Sequence, residues 1–243
     1  MAITRVQGNA RAAGLGTTLT VTQNSPPTNG NLNILAFCST VTEFESGSYV
    51  TRSVSSITQT GVTWTKQAFQ DTWWEHPANH LNTLNSEIWV GVVGAGASAT
   101  ITLTLLGTGD TNNAEVANVC EYSGLLTSGF LDKTAINAGE STNTDTGTTA
   151  ITSQANELWI GAIAAERAQT TPTNGFTLLD GVYYTGYGIS NAYLEKIVSA
   201  TGTANSGTSI ASIENWVGCI VTLKAPAVAA VVTYGDGLTW QSM

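Results

Sequence analysis

Two kinds of hydrophobic pattern run along the chain. "TTLTVTQ" (17–23) and "ATITLTLL" (99–106) alternate between apolar and hydroxyl-bearing residues, the period of a strand with one buried face. "LNILAFCS" (32–39), "EIWVGVV" (87–93), "ELWIGAIAA" (157–165) and "WVGCIVTLKA" (216–225) are nearly continuous apolar runs of strand length. Turn clusters such as "NSPPTNGN", "TPTNG" and "TGTANSG" punctuate them. No stretch carries the 3.6-residue period of an amphipathic helix, and the glycines of "GVVGAGASA" favour a turn. The pattern predicts an all-β protein.

The order of features repeats loosely. Segment 29–39 matches 155–165, 61–67 matches 175–181, and 115–125 matches 215–225. Two related strand sets predict a two-sheet β-sandwich of jelly-roll or Greek-key type built from interleaved keys, with two small tandem sandwiches as the alternative. The expected domain spans residues 1–226. Residues 227–243 form a C-terminal β extension, set off by Pro226: "VAAVVTY" as a strand, "GDG" as a tight turn and "LTW" as a short return.

Only 10% of residues are charged, so the polar surface must come largely from Thr, Ser, Asn and Gly. The net charge of -9 lacks the basic footprint of a nucleic-acid binder and is repelled by anionic membranes. No run approaches the length of a membrane span. Cys38, Cys120 and Cys219 each sit in an apolar run, as buried free thiols do. "MAITRVQGNARAAG" has no apolar core of signal-peptide length, which fits assembly in a host cytoplasm.

Chemistry-bearing motifs are sparse. No nucleophile elbow, P-loop or zincin helix is present. His76 and His80 are four apart, but Pro77 between them spoils a shared helix face, and no metal or cofactor is expected. Asp110, Asn112 and Glu115 fall short of a calcium loop. Glu43 with Glu45, or Asp71 with Glu75, could pair as glycosidase carboxylates, yet no spacing selects them. No catalytic residue is assigned and the chain is not expected to be an enzyme. Trp73 and Trp74 are adjacent, so on a strand they point to opposite faces. With Asn79 they form a candidate glycan-binding set, since rings stack on apolar sugar faces and amides orient hydroxyls.

Two strands share the pattern Glu-x-Trp: Glu87 with Trp89, and Glu157 with Trp159. The opposite parity, Ile88 with Val90 and Leu158 with Ile160, is aliphatic and faces the core. A tryptophan on the charged face implies a second apolar surface, covered either within the chain or by another subunit. Trp89 and Trp159 are therefore candidate assembly contacts. So are Val228, Val231, Val232, Tyr234, Leu238 and Trp240 of the tail, which needs ladder hydrogen bonds and is expected to pair with a sheet edge, that of a neighbour by preference.

The series "SPPTNGNL", "SSITQTGVTWTK", "EIWVGVV", "CEYSGLLTSGFLDKTA", "ANELWIGAI", "GFTLLDG", "LEKIVSATGT" and "WVGCIVTLKA" resembles a family of β-sandwich proteins found in tailed-phage virions and in bacterial surface or phage-derived genes. The similarity covers about residues 3–226. The chain departs from the pattern at "TVTEFESGSYVTRS" and "AFQDTWWEHPANHLN", which read as enlarged loops, and in the tail after Pro226. The resemblance implies structural or adhesive work: a self-assembling virion protein of head, tail or fibre, partnered by copies of itself and other virion proteins. The alternatives are a glycan-binding adhesin and an extracellular filament subunit linked by strand exchange, either of them at an extracellular surface.

Overall fold

The computed structural model describes residues 2–44, 52–76, 80–106, 113–179, 182–186 and 188–227. The first half of the chain forms β1 (Thr4–Gly14), β2 (Thr18–Thr22), β3 (Leu32–Phe44), β4 (Val54–Thr58), β5 (Val62–His76), β6 (His80–Val93), β7 (Thr100–Leu105) and β8 (Asn113–Ser123). The second forms β9 (Leu131–Asn143), β10 (Asn156–Ala165), β11 (Gln169–Thr170), β12 (Thr177–Leu178), β13 (Val182–Tyr184), β14 (Ile189–Ser199) and β15 (Ser209–Lys224). The described residues contain no helix. Asn79, Val228, Val231, Val232, Tyr234, Leu238 and Trp240 lie outside them.

The strands make a β-sandwich with a cover on each outer face. One large sheet has the order β1-β8-β3-β6-β5, and the other runs β11-β15-β10-β14-β12, with β9 also on β15 and β13 on β14. Each large sheet is thus the work of one half of the chain, rather than of strands interleaved from both. The two halves repeat one order: β1, β3, β5, β6 and β8 take the places of β9, β10, β12, β14 and β15. The three matched segment pairs fall on equivalent strands: β3 with β10, β5 with β12, β8 with β15.

The sheets meet through the parity the sequence marks as aliphatic. Leu32, Ile34, Ile88, Val90 and Tyr122 pack on Leu158, Ile160, Tyr193, Val221 and Leu223 in one buried core. Hydrogen bonds cross this core between the sheets. The amide of Asn191 donates to Ala36 O at 3.0 Å and to Asn118 Oδ1 at 3.1 Å, and Ser86 Oγ donates to Ala162 O at 3.0 Å. Cys38, Cys120 and Cys219 are buried and form no disulfide, and burial pushes the Cys219 thiol up to about 12.

The outer faces are covered differently. Over the first sheet lies a three-stranded sheet, β2-β7-β4. Its alternating side chains Leu19, Val21, Ile101 and Leu103 pack on Leu35, Phe37 and Trp89. Over the second, residues 144–152 run beside 202–208. Thr144, Thr146, Thr149 and Thr152 each donate their N–H to a carbonyl of the partner segment at 2.9 Å. The return bonds, from the N–H groups of Thr208, Ser206, Ala204 and Gly202, go to the four threonine hydroxyls at 2.9–3.2 Å. A hydroxyl replaces a carbonyl in every second rung, so the segments pair without a regular ladder. The threonines expected at the surface are here spent inside; Thr146 is wholly buried.

This cover settles the tryptophans. Trp89 and Trp159 are only 8% and 5% exposed within the single chain. Their outer faces are taken by the three-stranded sheet and by Phe176 with Ala204 respectively. The expectation that they contact another subunit is corrected: the chain itself supplies the second layer, leaving neither indole a surface to offer.

Candidate functional site

Of the segments expected to be enlarged loops, residues 40–44, 68–76 and 80–82 belong to strands, while 45–51 and 77–79 lie outside the described residues. β3 continues to Phe44, and β5 and β6 pair in register out to His76 and His80. They carry the edge of the first sheet past the body, opposite the ends of β9, β10 and β15. Between them opens a cleft of about 530 Å³.

One wall is Trp74 and Glu75 of β5 and Asn82 of β6; the other is Glu140 of β9, Glu166 and Arg167 just after β10, and Glu214 and Asn215 of β15. A bulge between Lys66 and Ala68 sets the parity of the outer part of β5. Trp74 thereby turns inward, half-buried against the core cluster of Cys38, Leu84 and Val217. Trp73 turns out and is 52% exposed. The two indoles point to opposite faces, as strand alternation requires.

On the facing wall, Trp216 lies across the strand pair over Gly139, where any Cβ would stand 2.6 Å from the ring. That close fit brings Glu140 and Asn215 into register as neighbours on β9 and β15. Arg167 donates from Nε to Glu214 Oε1 at 2.9 Å, and Ser212 Oγ donates to the same oxygen at 2.9 Å. Burial, and then the charge of the neighbouring Glu214 carboxylate, pushes Glu166 up to about 7. Asn82, which lines the cleft, is 8% exposed, and its buried Oδ1 accepts from no donor.

Of the residues proposed from sequence, the structure brings Trp74 to the cleft and leaves Trp73 on the outer side. Glu75 also lines it, but its acidic companions there are Glu140, Glu166 and Glu214 rather than Asp71. Sequence reasoning missed Asn82, Glu140, Glu166, Arg167, Glu214 and Asn215. A signal existed for some of them: Glu166-Arg167 directly follows an apolar run in a chain with 10% charged residues, which marks a strand end with polar work to do. Among the described residues, no group of three or more His, Cys, Asp or Glu is placed to hold a metal ion.

No family model, curated protein or solved structure matches this chain.

Proposed function

We propose that the protein is a non-enzymatic structural and adhesive subunit of a phage-type particle, and that its adhesive contact is saccharide recognition at the cleft. The observation that carries the adhesive part is Trp74 set opposite a wall of carboxylates and amides in an open cleft of about 530 Å³. An indole offers a flat apolar face to a sugar ring, while oxygens on the other wall accept from its hydroxyls. The particle assignment rests on the family resemblance and the all-β sandwich, with assembly through copies of itself and other virion proteins by way of residues 227–243. An extracellular adhesin or a strand-exchanged filament subunit would use the same cleft.

A glycan array probed with the full chain and with Trp74→Ala tests the adhesive reading. Binding by the parent that the variant loses is expected; an array on which the parent binds nothing rules the reading out. Light scattering of the full chain and of a chain ending at Ala225 tests assembly. A smaller particle on truncation is expected, and an unchanged mass removes the tail from the assembly.

A further inference from the structure

Taking the saccharide reading as its basis, we propose that the ligand of the cleft carries a protonated amine, an amino sugar rather than a neutral or acidic one. Hydrogen-bond polarity and charge point the same way. Glu75, Glu140, Glu166 and Glu214 stand around the cleft, facing one another from β5, β9, the end of β10 and β15. Arg167 is the cation among the described lining residues, and it is already engaged by Glu214. The lining therefore keeps a negative excess even with Glu166 protonated. Clefts lined by one sign of charge concentrate the opposite sign.

Asn82 is an independent indication. Its buried Oδ1 is an acceptor without a donor, and a buried polar atom left so costs roughly 1–3 kcal/mol. A ligand that donates satisfies it once the side-chain amide turns toward the cleft. An ammonium group offers three donors and no acceptor, the complement of a lining rich in carboxylate oxygens. Trp74 contributes in the same sense, because an indole face attracts a cation as well as an apolar sugar face. An acidic saccharide would meet carboxyl groups on four elements, and an N-acetylated one would present a neutral amide where the cleft holds spare negative charge.

The test is calorimetric titration of the full chain with three oligosaccharides in mildly acidic, low-salt buffer: β-1,4-linked glucosamine, its fully N-acetylated counterpart and a uronic-acid oligomer. The glucosamine oligomer is expected to bind at least about tenfold more tightly than the N-acetylated one, and the uronate not at all. Glu140→Gln, an isosteric change at an exposed position, should reduce glucosamine binding several-fold while leaving the melting temperature unchanged. Trp74→Leu should reduce it further. Equal or tighter binding of the N-acetylated oligomer overturns the amine assignment and leaves the saccharide reading standing. Glucosamine binding indifferent to both substitutions shows bulk attraction to an acidic chain and overturns the amine assignment as well. Binding of none of the three removes both.

Discussion

The two halves of this molecule solve one problem with the same three residue types and reach different results. In the first, Trp89 Nε1 donates to Glu87 Oε2 at 2.6 Å, and Lys66, opposite Trp89 on β5, reaches the same oxygen at 3.0 Å. The other oxygen accepts from Val54 N at 3.0 Å and Asn85 Nδ2 at 2.9 Å. A wholly buried carboxylate is thus fully served. In the second, Trp159 Nε1 donates to Glu157 Oε2 at 3.1 Å, and Lys196, opposite Trp159 on β14, lies over the indole at 5.5 Å. Here the lysine donates to Asn174 O at 2.8 Å, and Glu157 Oε1 has no donor. Burial pushes Glu157 up to about 7, and the carboxylate of Asp132 beside it adds to the shift. The two devices do not even occupy equivalent strands: β6 corresponds to β14, while Trp159 is on β10. A buried charge is tolerated when its acceptor sites are filled, and it tends to neutralise when they are not.

The sharpest break in this comparison comes from Glu87→Leu. It strands an ammonium, an indole N–H, an amide and a backbone N–H, and urea denaturation should register a loss of about 3–5 kcal/mol. Lys66→Met follows, removing one charged donor from a buried carboxylate at a cost of about 1–3 kcal/mol by the same measurement.

Glu157→Gln should run the other way. A carboxyl held above its unfolded value contributes stability while protonated, in full below the unfolded value, and loses it as pH rises through about 7. The amide escapes that loss, so the variant should gain about 1 kcal/mol over the parent near pH 8 and nothing near pH 5. A gain independent of pH would count against the unserved carboxylate. Lys196→Met is the mildest change, about 0.5–1 kcal/mol, because its contact with Trp159 is a cation over a ring and not an ion pair.

Strand positions and their inner faces were legible because alternation and continuous apolar runs report burial on one face or two. Leu19 and Val21 of β2 face inward as their period requires, and the run 157–165 is covered on both sides. Which layer covers a strand was not legible, since an outer sheet and a neighbouring subunit demand the same apolar residue; hence Trp89 and Trp159. The partition of strands between sheets escaped for a related reason, because a repeat of features fits interleaved and separate halves equally well. The cleft was legible only at Trp74 and Glu75. Its acidic wall is assembled from Glu140, Glu166 and Glu214, far apart in the chain, and pairing of β15 with both β9 and β10 is what makes neighbours of them.

Every pairing in the first large sheet closes within residues 4–123. That sheet can therefore be completed on the ribosome while its counterpart is still being made, as domains generally are. During that interval Leu32, Ile34, Ile88 and Val90 have nothing from their own chain to rest against. The delay between the two halves is then a window for capture by a chaperone or by a second nascent chain. Slowing translation near residue 125 should lengthen that window, and speeding it should raise the yield of correctly closed protein.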